Sequence, residues 1–352
     1  MNGTGGKRVF FLRRCRRVGE ALCLMVAGGL LAGCGLLMDT AQLVHPYLPD
    51  LPDEVEALCR HAEVRVGVAT EPSPPFVFPV RPTGEGPKLT GLDMELVQHI
   101  TAALSEQCGH PLTAVPIVLP FRDLFLALTE NKLDIFVSAM ASNVPHLTAT
   151  GLGYSSPYYL DTGIVALTGE SRIADRLVMP RHGAADGGSR LEAKRKVFSG
   201  LRVAVQEERS PHLFAAARLS DIDLMVCDTF AAALAAQPPA DVVLGKEAIL
   251  GQAGQRHISG WQVVTLKDGQ PMLLGREYYA VAMAESEYRL RWLVNDVILD
   301  LEQSGRLEEM RRRWFDPKYA DSEAALRTGI LCPACQETQP ADRGSCRPSR
   351  SR

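Results

Sequence analysis

The order in which the hydrophobic period changes along the chain limits its fold most. Val64–Ala69 ("VRVGVA") reads as a strand. Leu92, Leu96, Val97, Ile100 and Leu104 then recur at helical spacing and give one apolar face. Ala114–Leu119 reads as a second strand, and Asp123–Glu130 as a short helix closed by Asn131 and Lys132. Leu133–Ala139 ("LDIFVSA") reads as a third, buried strand. Strand alternating with helix predicts an α/β layer architecture with largely parallel strands.

After Tyr158 the character changes. Gly163–Leu167 is a predicted strand, and 169–200 a charged, glycine-containing surface insertion with some helix. A second α/β run follows, with strands expected at Leu201–Val205, Ile222–Val226 and Asp241–Leu244. Tyr279–Met283 is a further strand, and Leu290, Val294, Val297, Leu301, Met310 and Trp314 mark an amphipathic C-terminal helical region. The length suits two domains or lobes. Residues 317–352 are polar, and their composition predicts a flexible tail.

The start of the chain is of a different kind. Lys7, Arg8, Arg13, Arg14, Arg16 and Arg17 face one acid, Glu20, and residues 21–33 carry no charge. A basic region, a short apolar run and small residues before a cut describe an export signal. The run is too short to span a bilayer comfortably. It ends at Leu31-Ala32-Gly33-Cys34, which resembles the bacterial lipobox, in which the thiol is diacylated and becomes the new N-terminus. A plain signal peptide with an incidental cysteine is the other reading; the cysteine's position favours lipidation of Cys34. Two or three acyl chains anchor a protein stably where one does not. Residues 34–62 then serve as a tether.

With that leader removed, 32 basic and 40 acidic residues remain, a net charge of −8. Such a balance argues against a nucleic-acid partner. Export places the remaining cysteines where disulfides persist. Cys59 precedes the first strand and Cys108 ends the first long helix, points that lie at one edge of a βαβ unit, so a Cys59–Cys108 bridge is geometrically reasonable. Cys227 reads as a buried strand cysteine. Cys332-Pro-Ala-Cys335 lacks the histidine of a c-type haem site, and with Cys346 it makes a weak zinc case, since a closed structural site wants four ligands. A flexible tail with an adventitious disulfide is the preferred reading. No metal and no cofactor is expected.

In order, the segments "VRVGVATEPSPPFVF", "GLDMELVQHITAAL", "PFRDLFLALTENKLDIFVSAM", "YSSPYYLDTGIVAL" and the run from Tyr278 to Phe315 resemble the type II periplasmic solute-binding proteins of the polar amino-acid class, the binding component of ABC importers. The resemblance covers about residues 63–316. It implies two α/β lobes joined by two crossing strands, with a small-molecule ligand in the cleft. Lobe 1 would be 63–158 with 280–316, and lobe 2 165–275. It also implies a monomer that docks on an ABC permease or a membrane sensor.

The resemblance assigns an aromatic platform to Phe76 and Phe121 and a ligand-facing loop position to Glu71. Core packing is the alternative for Phe121, and a solvated loop acid for Glu71. Its two charged anchors are changed. Where the family usually reads Met-Thr-x-Thr-x-x-Arg, this chain reads Met140-Ala141-Ser142-Asn143-Val144-Pro145-His146. Ala141 replaces a hydroxyl donor and His146 the carboxylate-gripping arginine. A neutral histidine cannot form a bidentate fork, but a protonated one binds anions; an exposed loop histidine is the other reading. Where the family has an ammonium-binding aspartate, Lys246 stands, with Glu247 beside it. Arg209 and Ser210 in "QEERSP" are an alternative anion clamp or merely surface. With Lys246 and Arg209 in the cleft, an anion is preferred over an amino-acid zwitterion: the expected ligand is a small polar or anionic metabolite, a carboxylate or another anionic or aromatic one, and a cleft that binds nothing tightly is the other reading. Two rival functions remain: a sensory lipoprotein that signals by contact, and a cyclohexadienyl-dehydratase-like enzyme using Glu71 and His146, for which no specific motif exists.

Overall fold

The computed structural model describes residues 54–348 apart from 83, 145–150, 179–196, 251–256, 259, 321 and 338–343. Cys34, His146 and most of the 169–200 insertion lie outside the described residues.

Helix α1 (Glu54–His61) leads into β1 (Glu63–Ala69), the antiparallel pair β2 (Phe78–Val80) and β3 (Lys88–Thr90), and α2 (Leu92–Cys108). Then come β4 (Thr113–Leu119), α3 (Phe121–Thr129), β5 (Ile135–Phe136), β6 (Leu152–Tyr154) and the long β7 (Tyr159–Thr168). The second run is α4 (Ser171–Leu177), β8 (Arg202–Gln206), α5 (Ser210–Arg218), β9 (Asp223–Cys227), α6 (Phe230–Leu234), β10 (Val242–Lys246) and α7 (Glu247–Leu250). It continues through β11 (His257–Ile258), β12 (Trp261–Val263) and β13 (Gly275–Tyr279). β14 (Ala282–Ala284), α8 (Tyr288–Gln303) and α9 (Arg306–Trp314) return to the first lobe.

Two sheets organise these elements. The first runs β4-β1-β5-β14-β6, with β1 parallel to both β4 and β5. The second runs β11-β12-β7-β10-β8-β9, with β13 also paired to β7. α2 lays Leu96, Val97, Ile100 and Leu104 on the first sheet, in one core with Val64, Val66 and Val68. Val203, Val205, Val242 and Leu244 form the core of the second. Two short segments cross between the sheets, Ser155–Tyr158 and Ala280–Val281, and they bond to each other: Ser155 N donates to Val281 O (2.9 Å), and Val281 N to Ser155 Oγ (3.0 Å), while Tyr158 N donates to Tyr279 O at the end of β13 (2.9 Å). The predicted strand Tyr279–Met283 is therefore two strands, one in each sheet, broken where the chain changes lobe.

The predicted strand Leu133–Ala139 shortens to Ile135–Phe136, because Ala139 has φ +47° and its N–H bonds to a side chain, the Asp93 carboxylate, instead of a ladder partner. The disulfides are Cys59–Cys108 (Cα–Cα 5.3 Å), Cys227–Cys346 (4.0 Å) and Cys332–Cys335 (5.3 Å). Cys227 is buried in a strand as its sequence context predicts, but it is a half-cystine.

The flexible tail expected over 317–352 is corrected for its described residues. α10 (Pro317–Ala320), α11 (Glu323–Arg327), β15 (Ile330–Leu331), a 3-10 turn at Pro333–Glu337 and β16 (Cys346–Pro348) follow α9. Cys332 and Cys335 are 0% and 2% exposed, packed into the first core. Composition misled here because a few buried contacts and two disulfides order a polar segment that lacks a core of its own.

Candidate functional site

The first lobe brings a loop, a helix start and a backbone carbonyl to the cleft. Gly91 has φ +122°, and a Cβ there would lie 2.2 Å from Phe76 O, so only glycine lets the loop approach the helix. The first N–H groups of α2 then find partners in that loop, Leu92 N on Pro75 O (3.0 Å) and Asp93 N on Phe76 O (2.9 Å). Asp93 is buried, and its carboxylate accepts from Tyr158 OH (2.6 Å) and Ala139 N (2.8 Å). Burial outweighs those bonds and pushes its carboxyl up to about 6. The left-handed Ala139 is an uncommon conformation for a residue with a Cβ, and it turns the carbonyl to meet a cation from the opposite lobe.

The second lobe brings charge. Arg209 immediately precedes α5 and follows Glu208, another left-handed residue (φ +60°). Its guanidinium is 5% exposed and lies 3.9 Å above the Phe121 ring of the first lobe. Nη2 is 3.9 Å from Glu71 Oε2, and Gln206 Nε2 donates to the same oxygen. Nη1 and the buried Ser210 Oγ have no hydrogen-bond partner among the described residues. Burial lowers the pKa of Arg209 despite Glu71, and raises that of Glu71 despite Arg209.

Lys246 ends β10, 7% exposed. Its Nζ donates to Ala139 O (2.8 Å) and sits 4.9 Å from the Tyr279 ring centroid. Burial brings its pKa down to about 8; Arg209 pushes the same way, while Glu277 and Asp93 oppose. Glu277 is 1% exposed and accepts from Tyr279 OH (3.0 Å). Its other oxygen, Oε1, is buried with no partner among the described residues.

A cavity of about 210 Å³ lies against these groups. Its polar wall is Glu71, Ser73, Gln206, Arg209, Thr229 and Lys246, and its apolar wall includes Pro72, Pro211, Phe230 and Ile249. A second cavity of about 370 Å³ shares Glu71, Gln206, Arg209 and Thr229 and extends toward Phe121 and Arg122.

Of the sequence-derived candidates, Glu71, Arg209 and Lys246 line the inner cavity, Phe121 lines the outer one, and Ser210 is buried beside Arg209. Phe76 is displaced from its expected role. Its ring is fully buried among Tyr159, Tyr279 and Phe315, at centroid distances of 5.2, 5.0 and 5.6 Å. Ala141 is buried in a bridge with Tyr279 and lines neither cavity, and two residues earlier the Ala139 carbonyl takes part instead. Sequence reasoning missed Gln206, Thr229, Asp93 and Glu277. Asp93 could have been found as an acid on the apolar face of α2; Gln206 and Thr229 carry no such signal.

A two-lobed α/β molecule with a polar cavity where the lobes meet is the architecture of a periplasmic solute receptor. The profile of the bacterial extracellular solute-binding proteins, family 3, matches residues 64–317, and the chain belongs to that family. The L-cystine-binding protein TcyJ of Escherichia coli (strain K12) is 24% identical over 247 residues, 69% of this chain and 79% of that protein. The amino acid ABC transporter substrate-binding protein AbpA from Streptococcus pneumoniae Canada MDR_19A, solved bound to L-arginine, superposes with a TM-score of 0.57 at 18% identity, covering 76% of this chain and 100% of that one. The ancestral amino acid-binding protein AncCDT-1, described as a precursor of cyclohexadienyl dehydratase, gives 0.57 at 18% identity over 75% of this chain and 100% of its own. The protein is thus an extracellular receptor for a small-molecule solute.

Proposed function

We propose that this receptor closes on a small carboxylate that lacks an ammonium group, and that Arg209 and Lys246 hold it. One observation carries the reading: both cations are nearly buried at the inner cavity, and Arg209 Nη1 has no partner among the described residues. A buried donor left unpaired is costly, and a charge-assisted bond from a carboxylate removes that cost. Lys246 already supplies an ammonium to Ala139 O, so a ligand ammonium brought there would meet a like charge. Pro72, Pro211, Phe230 and Ile249 favour a compact apolar body on the ligand.

In this reading the receptor works as a monomer, held at the membrane by acylated Cys34, and hands its ligand to an ABC permease. Replacing Cys34 by serine releases it from the membrane fraction; retention of that variant would exclude the anchor.

The experiment is the thermal midpoint of residues 35–352 against amine-free mono- and dicarboxylates, with L-cystine and L-arginine as the zwitterionic arm. A ligand at a hundredfold excess over Kd stabilises the folded form by about 2.7 kcal/mol. A rise with carboxylates alone supports the clamp. A rise with cystine or arginine alone overturns it and puts Glu71 to work on an ammonium.

A further inference from the structure

We propose that the C-terminal extension, fastened to one lobe through 317–337 and to the other through 344–348, is a covalent strap between the lobes that limits how far they open. Its two described halves are fastened to different lobes. The first half lies on the first lobe. Thr90 Oγ1 donates to Ala325 O (2.9 Å), Gln98 Nε2 to Thr328 O (2.6 Å) and Cys332 N to Pro87 O (2.8 Å). β15 pairs with β3, and the Cys332–Cys335 turn packs against β3 and β4.

The second half belongs to the other lobe. β16 adds to the edge of the second sheet, antiparallel to β9, with Cys346 opposite Cys227 and bonded to it. Asp228 N donates to Ser345 O (3.0 Å), Ser345 N to Asp228 Oδ2 (2.8 Å), and Arg347 pairs with Glu207 and Asp228. Glu207 and Asp228 line the outer cavity, so this anchor sits at the rim of the cleft.

The position gives the strap its effect. The crossings join the β14–β6 side of the first sheet to β7 and β13 of the second. The strap joins the opposite side of the first sheet, β4, to the β9 edge of the second, three strands beyond β7. Jaws hinged on one side and tied on the other open only as far as the tie allows. Seven Cα–Cα steps separate Glu337 from Gly344, a reach of at most ~25 Å. Receptors of this architecture work by hinge closure around ligand, so a cap on opening acts on the working motion. The tie limits opening whichever ligand the cleft takes.

The test is single-molecule energy transfer on the unliganded full chain. Dyes are attached through non-cysteine handles at the exposed positions Lys132 and Arg172, one on each lobe. One variant carries twenty Gly/Ser residues inserted between Gln339 and Pro340, with all three disulfides verified by mass. The other is C227S/C346S. Both are expected to gain a population at longer distance that the parent lacks. Superimposable distributions for parent and insertion variant overturn the strap. So does a long-distance population in C227S/C346S alone, which assigns the effect to packing around Cys227. Should C227S/C346S fail to fold, the insertion variant decides.

Discussion

The two walls of the cleft are built on opposite principles. The first lobe offers an aromatic face, Phe121, and a backbone carbonyl, Ala139 O, which a buried acid steadies from behind. The second lobe offers the two cations. Each wall meets the other: Arg209 rests on Phe121 and beside Glu71 with Nη1 still unpaired among the described residues, and Lys246 donates to Ala139 O. A charge desolvated by closure needs a partner waiting on the opposite wall, or closure is unfavourable. The lesson is that affinity and closure depend on the same bonds.

The largest effect is expected at Arg209. Arg209→Ala removes the unpaired donor and leaves Glu71 with Gln206 but no cation, and carboxylate affinity falls ~100-fold in calorimetry. Unchanged affinity would place the anion elsewhere and break the assignment of charge to the second lobe.

Next comes Lys246→Met, with a loss of ~30-fold for the same carboxylate. Its pH dependence sharpens the comparison, because two signs oppose. The folded pKa lies near 8, below the ordinary 10.5. The folded form therefore loses its proton first, and this group's contribution to stability rises as pH climbs from about 8 toward 10.5. Anion affinity falls over the same upward range, because the cation is lost. The methionine variant shows neither trend. Burial lowers this pKa most; Glu277 and Asp93 raise it and Arg209 lowers it, while the Tyr279 ring lies 4.9 Å from the ammonium.

A smaller effect is expected behind the first wall. Asp93 has a raised pKa near 6 against 3.8, so its contribution to stability is complete below about 3.8 and is lost as pH rises through about 6. Asp93→Asn flattens that slope in chemical denaturation and costs about 1–2 kcal/mol, since an amide oxygen replaces a carboxylate that accepted two bonds. An undiminished slope would assign the titration to another group.

The smallest effect is Phe121→Leu, which keeps apolar bulk and loses the ring under Arg209. A cation–π contact of about 0.5–1 kcal/mol corresponds to a two- to fivefold loss of carboxylate affinity. A loss as large as that of Arg209→Ala would make the first lobe an equal partner in binding and erase the contrast.

Much of the framework was legible from pattern alone. β1 and α2 follow from the alternation in "VRVGVA" and the helical spacing of Leu96, Val97, Ile100 and Leu104, because burial of one face is a local property of sequence. Arg209 and Lys246 were singled out only through the family resemblance, Lys246 standing where an acid is usual and Arg209 lying in an altered turn. Phe76 was not, because a motif position cannot tell an aromatic facing a ligand from one enclosed by three other rings. The tail was the largest misreading. Cys346 lies 119 residues from its partner, and nothing local marks the pairing.

By itself the sequence determined the element types, the division into two α/β runs and the inventory of charges, since period and composition act over a few residues. Only the tertiary structure decided which charges meet. Ala139 and Lys246 are 107 residues apart, and a turned peptide in one lobe and a buried ammonium in the other become partners when the chain closes on itself. Long-range contacts of this kind are set by how two cores pack, which no window of sequence encodes.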